Sequence, residues 1–130
     1  MSFIIIIFST MLPAANRLKD KKTISRLFQS GYSIYGKIIF LRYQKNIKPD
    51  SPPKIAIAIG VKTAPLATDR NRLKRLIQAI LRDLINKIPP GLDFVIGINN
   101  KTFRLVFLKD SNFRKVLLDD IKTAISKVRY

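Results

Sequence analysis

Leu73, Leu76, Ile77, Ile80, Leu81, Leu84 and Ile85 form an unbroken apolar stripe at helical spacing. Only a helix keeps that period over so many residues. Residues 69–86 are therefore predicted to form one, with the stripe buried against a second layer. Pro89, Pro90 and Gly91 then force a turn. The outward positions of the same helix are basic. Residues 70–75 read Arg70, Asn71, Arg72, Leu73, Lys74 and Arg75, which places four cations near the end where the helix macrodipole is already positive. Each cation so placed costs about 0.3–1 kcal/mol at low salt, so the cluster works against folding and points to a use outside it. Helical spacing turns Arg72, Arg75 and Arg82 away from the stripe with Asn71 beside them, while Arg70 and Lys74 flank the buried face. Guanidinium groups held on such a ridge grip phosphates in bidentate fashion, and the unpaired amides of a first turn add donors to the same anion site. Charged helix residues ordinarily mark a solvated face; the one-sidedness of this cluster, at that end of the helix, favours polyanion binding.

The other segments supply what this helix packs on. Ile24, Leu27 and Phe28 recur at helical spacing within residues 20–30, with Asp20 as N-cap and Gly31 where a helix end favours positive φ. Residues 37–43, rich in β-branched and aromatic side chains, predict a strand, and the polar stretch 44–53 a loop. Residues 54–62 alternate, with Ile55, Ile57, Ile59 and Val61 on one face and Ala56, Ala58 and Gly60 on the other. The small face, flanked by Lys54 and Lys62, is a trough that suits either something flat and negative or a closely packed helix; the pattern leaves both open. Residues 94–98 fit a buried strand. Phe113, Leu117, Ile121, Ala124, Ile125 and Val128 mark a last helix capped by Ser111 or Asn112. Residues 101–109 suit a strand and a short helix equally. The order is helix, two strands, helix, strand, helix, with one strand undecided: a compact α/β domain.

A chain of 130 residues fits one domain and buries a core without staples. Its 25 Lys and Arg against 8 Asp and Glu give a formal net charge of +17, far more than solubility needs, so the expected partner is a polyanion. There is no Cys and no His, which removes disulfides, thiolate chemistry, zinc sites of the usual ligands and His-based acid/base catalysis. Asp119 and Asp120 are adjacent, but neighbouring helix positions diverge, so they are expected on a solvated face and not as a catalytic or metal-binding pair. Residues 2–8 are apolar yet too few to span a bilayer, and no basic residue precedes them as in a signal peptide. Met11 offers an alternative start. Residues 1–10 are accordingly expected to be an over-long start or a disordered leader, residues 11–130 the domain, and no membrane partner is expected.

Residues 70–77, Arg70-Asn71-Arg72-Leu73-Lys74-Arg75-Leu76-Ile77, resemble the signature of the bacterial-type ribonuclease P protein family, Arg-Asn-Arg-x-Lys-Arg followed by apolar residues. Met11-Leu12-Pro13, Asn16-Arg17-Leu18-Lys19, Leu27-Phe28 and Gly31-Tyr32-Ser33 are similar to that family's N-terminal pattern, and the likeness extends through residues 54–62 and 93–98. The resemblance implies an α+β domain of three helices on a four-stranded sheet with a left-handed crossover. It also implies the protein subunit of a ribonucleoprotein endoribonuclease, cytoplasmic and with no obligatory protein partner, whose RNA performs the hydrolysis that matures the 5′ end of tRNA. Magnesium would be bound mainly by that RNA. The implied RNA-facing residues are Arg70, Asn71, Arg72, Lys74 and Arg75, to which the ridge adds Arg82. The implied cleft for the single-stranded leader of precursor tRNA comprises Phe28, Arg42, Ala56, Ala58 and Lys62. Ile24 stands where the family usually has phenylalanine and Arg42 where it often has an aromatic residue, which shifts weight from stacking to electrostatics. Asn99 replaces a frequent arginine. The competing class is a ribosomal or other structural RNA-binding protein, which shares the charge and size without needing the hexamer; a peripheral membrane protein held by residues 3–8 is a third.

Overall fold

The computed structural model describes residues 4–7 and 12–129. The first helix, α1, spans Lys21–Ser30. Asp20 caps it as expected: its carboxylate accepts the Lys22 amide at 3.1 Å and the Thr23 hydroxyl at 2.6 Å. Those bonds, that of Thr23 foremost, hold the Asp20 carboxyl below its usual range. Gly31 ends the helix, though not in the left-handed conformation expected of it, since its φ is −68°. Glycine is needed there for close approach instead. A Cβ would lie 2.7 Å from the Leu27 carbonyl oxygen, which accepts the Gly31 amide.

Strand β1 is Ile4–Ile7, followed in chain order by β2 (Tyr32–Tyr35), β3 (Ile39–Lys45), β4 (Lys54–Gly60) and β5 (Leu92–Ile98). They form one sheet in the order β1-β4-β5-β3-β2. Only β4 and β5 run parallel, so their connection must cross over, and helix α2 (Ala67–Leu84) makes that crossover. Helix α3 spans Phe113–Ser126. Three helices on a mixed sheet make an α+β domain, and β2 to β5 are the four strands expected. The edge strand β1 adds a fifth, pairing antiparallel with β4, although residues 1–10 were expected outside the domain. The rest of that segment, residues 1–3 and 8–10, lies outside the described residues.

The strand expected over residues 37–43 is β3, displaced by two residues; β2 before it was not expected and forms a hairpin with it, because Gly36 turns the chain and its amide bonds to Ile39 O at 2.8 Å. The undecided stretch 101–109 contains a short 3₁₀ helix, Leu105–Lys109, and not a strand. Phe103 is buried there with ring centroids 5.8 Å from Phe107 and 5.9 Å from Phe113, and this aromatic cluster draws the segment against α3. Neither Ser111 nor Asn112 caps α3 with its side chain. Asn112 is the N-cap residue, but it is Asp110 that accepts its amide.

The sheet divides the interior in two. On one face Ile39, Leu41, Ile55, Ile57, Phe94 and Ile96 pack against Leu73, Ile77 and Leu81 of α2 and Leu117 and Ile121 of α3. On the other, Ala56, Ala58 and Val95 meet Leu18, Ile24 and Leu27, with Phe28 and Phe40 at the margin. The small face of β4 is thus where α1 sits, as one of its two possible uses required. Asp120 is the other departure. It is buried, not solvated: its carboxylate accepts the amides of Lys37, Ile38 and Ile39 and ties α3 to the β2–β3 turn.

Candidate nucleic-acid interface

Helix α2 starts at Ala67, two residues before the expected residue 69, after Pro65 and an N-cap Leu66 that offers no side-chain bond. It ends at Leu84, and a 3₁₀ turn, Ile85–Lys87, replaces its expected last residues. Asp69 consequently sits in the first turn, where a carboxylate suits the macrodipole. The hexamer begins at that turn's last residue, and Arg72 and Arg75 lie in later turns. Because the dipole's influence falls off within one turn, the cluster opposes folding less than its position in the sequence implied.

Arg70, half-buried, is engaged locally: its Nη1 donates to Ala64 O and Pro65 O, both at 2.8 Å, and clamps the loop that leads into the helix. Lys74 is also half-buried. Asn71, Arg72, Arg75 and Arg82 are exposed. Thr68, Asn71, Arg72 and Arg75 fall at i, i+3, i+4 and i+7, on one face, and together with Leu76 they line a shallow groove of about 430 Å³. Such a groove offers two guanidinium groups, a carboxamide and a hydroxyl to phosphate and sugar oxygens, at a spacing fixed by the helix.

The opposite face of the sheet carries the second set. Residues paired directly across strands share a face. Ser33, Arg42, Val95 and Ala56 form one row, and Tyr35, Phe40, Gly97 and Ala58 the next. The Arg42 guanidinium lies 6.0 Å from the centre of the Phe28 ring, and its Nε donates to Leu27 O at 2.9 Å, near the electronegative end of α1. Phe28 meets Phe40 edge to face at 6.4 Å. The Phe40 ring rests over Gly97, where any Cβ would collide with it.

Phe28, Arg42, Ala56 and Ala58 are therefore brought together, with Ala56 covered by α1. Lys62 is exposed in the turn after β4. Phe40 and Tyr35 belong to the same face without having been singled out. For Phe40 the signal was available: in a strand, the residue two before Arg42 must share its face. Beyond Phe40 the cleft opens into a cavity of about 190 Å³, floored by Phe40, Ala58, Gly60 and Ile98 and rimmed by Asn99, Asn100 and Lys101. Because β4 and β5 are parallel, the loops after them leave at one end of the sheet, where the Thr63 hydroxyl bonds to the Asn100 carboxamide. The start of α2 lies at that end too, so ridge and cleft occupy opposite faces but meet at one edge.

At the other end of the cleft face Asp93 is buried. Desolvation pushes its carboxyl up, while the Asn46 amide at 3.1 Å and nearby Lys54 pull it down. Among the described residues no group of three or more acids is close enough to hold a metal ion.

The family model for Ribonuclease P matches residues 12–122. A ribonuclease P protein component of a Synechococcus species is 35% identical over 98 residues, covering 72% of this chain and 74% of the relative. One from a Pseudanabaena species is 27% identical over 121 residues, covering 92% and 96%. Among solved structures, the RNase P protein of Thermotoga maritima superposes with a TM-score of 0.74 at 22% identity, over 88% of this chain and 98% of that one. The RNase P protein of Staphylococcus aureus does so with a TM-score of 0.64 at 18% identity. These two establish the shared fold. The family match spans both the ridge and the cleft, and the chain belongs to the ribonuclease P protein family.

Proposed function

We propose that the α2 ridge of this ribonuclease P protein subunit holds the catalytic RNA, while the cleft under α1 receives the single-stranded 5′ leader of precursor tRNA. The observation that carries this division is the placement of two chemically different surfaces on opposite faces of one sheet. The ridge presents guanidinium groups on a rigid helix, which suits the closely spaced phosphates of a folded RNA. The cleft presents aromatic rings, Phe28 and Phe40, beside the guanidinium of Arg42, which suits unpaired bases and their backbone. Arg70 serves the ridge indirectly by fixing the loop before it, and Lys62 adds charge at the end of β4.

Hydrolysis in this enzyme is borne by RNA, and the magnesium it needs belongs with the RNA. The chain's own buried acids, Asp93 and Asp120, accept hydrogen bonds, Asp20 caps α1, and no three acids among the described residues lie close enough to share an ion, which leaves magnesium to the RNA. No helix among the described residues is long and apolar enough to cross a membrane. The reading places the protein with its RNA in the cytoplasm and requires no second protein.

Purified protein freed of RNA is expected to cleave no precursor tRNA at any magnesium concentration, since the chain has neither His nor Cys for acid/base or nucleophilic work. Protein-dependent, magnesium-dependent cleavage after nuclease treatment would overturn this.

The test of the cleft is a ratio. Phe28→Leu keeps most of the apolar volume but loses the ring that faces Phe40 and Arg42, and Lys62→Ala removes a cation. Each variant is expected to weaken the holoenzyme's binding of precursor tRNA by about fivefold or more, leaving mature tRNA nearly unchanged. Equal losses for both tRNAs, with a lowered melting temperature, would make Phe28 a core residue only; an unchanged ratio would take both residues out of the leader site.

A further inference from the structure

The cavity beyond Phe40 combines an apolar floor with a polar rim. Its volume takes one flat ring system and not a run of stacked bases. The rim is unusual in its hydrogen-bonding polarity. Asn99 spends its carboxamide oxygen on the Lys101 amide at 3.1 Å, and Asn100 spends its own on the Thr63 hydroxyl. Each carboxamide oxygen is thus already engaged once, whereas both N–H donors of each NH₂ group remain for a ligand, and the Lys101 ammonium is a donor only. Among the described residues three donor groups therefore surround the opening, against two carboxamide oxygens that are each already engaged.

Resting on the assignment of the cleft to the leader, we propose that this cavity is a base-reading subsite selective for keto bases, uracil or guanine, over amino bases. Uracil presents carbonyl oxygens and guanine presents O6 and N7, all acceptors, toward such a rim. Cytosine and adenine present an exocyclic NH₂ at the corresponding edge, which would leave rim donors facing a donor. Phe40 and Ala58 form the floor on which the ring lies, and Phe40, which meets Phe28 edge to face, joins the subsite to the cleft.

Uracil and cytosine stack alike and differ only at the C4 substituent and in the proton on N3, so short oligouridine and oligocytidine are the probes. With the full-length protein, oligouridine is expected to bind about fivefold to tenfold more tightly at equal salt. Asn99→Asp with Asn100→Asp keeps both oxygens that make the existing bonds but replaces the two NH₂ donors by acceptors. The ratio should then fall to one or invert. Equal affinities for the wild-type chain overturn the proposal, as does a preference that survives in a double variant of normal melting temperature. Should the variant melt early, the wild-type protein decides: oligonucleotides carrying 4-thiouridine should photocrosslink to residues 99–101, and crosslinks found only elsewhere overturn it. Precursor and mature tRNA binding, measured alongside, separates the layers. Leader dependence without keto preference sinks the subsite alone, whereas loss of leader dependence sinks the cleft assignment beneath it.

Discussion

Replacing Asp120 by alanine is expected to destabilise the domain by about 3 kcal/mol or more, and to lower its melting temperature by roughly 10 °C. One carboxylate oxygen accepts the Lys37 amide at 2.7 Å, and the other accepts those of Ile38 and Ile39 at 2.8 and 2.9 Å. Bonds to a charged acceptor are the stronger kind. Without the carboxylate, three backbone donors at a turn packed under α3 lose their partner, and two of them are buried. Removing a partner from buried donors costs their full desolvation, which exceeds the net worth of the bonds. Asp120→Asn should be little better, because its NH₂ group would face an amide donor. Gly36 belongs to the same device: a Cβ there would collide with the Asp120 carboxylate, so Gly36→Ala should destabilise by a comparable route. Asp119→Ala, at the exposed neighbouring position, is the control and should melt within about a degree of the wild type. Thermal melts of the four variants check the set, and an Asp120→Ala protein as stable as the control would mean that the turn needs no tether.

Asp120 also shows where sequence reasoning runs out. Its partners lie 81 to 83 positions away, and nothing local marks a helical aspartate as buried. Periodicity reports which face of an element is apolar, and so α2 was legible to within two residues and α1 to within one. It does not report what a polar residue on the inner margin meets. The same limit applied to the alternation in β4. The pattern separated large from small residues correctly, but whether the small side held a ligand or a helix depended on where α1 docks. Strand β2 was missed for another reason: Tyr32, Ser33, Ile34 and Tyr35 make a four-residue edge strand that is almost wholly exposed, so burial imposes no alternation on it. The ridge was legible because helix geometry alone fixes it. The cleft was legible in part, through Phe28 and Arg42. Its continuation past Phe40 to Asn99, Asn100 and Lys101 depends on two parallel strands ending side by side.

The ridge yields the largest functional effect. Arg72→Ala combined with Arg75→Ala is expected to weaken assembly with the catalytic RNA by about 3 kcal/mol, on the order of a hundredfold, because on the proposed reading each guanidinium makes charge-assisted bonds to phosphate. Both side chains are exposed and share the groove with Thr68, Asn71 and Leu76. They stand beyond the first turn of α2, where the dipole is weak, so the fold should be indifferent to their loss and the melting temperature should hold. Salt gives an independent reading of the same contacts. Each phosphate neutralised steepens the fall of log affinity with log salt by nearly one, so the double variant's slope should be shallower by roughly two. Arg72→Lys with Arg75→Lys divides charge from geometry. The slope should return to that of the wild type, while the affinity recovers only in part, since an ammonium cannot make the bidentate contact. Arg70→Ala should behave differently again: it frees the carbonyls of Ala64 and Pro65 and loosens the loop, lowering stability as well as affinity. Binding of the cognate RNA across a salt series, beside thermal melts, decides the matter. An unaltered slope in the alanine pair would show that the RNA is held by some other face of this basic protein.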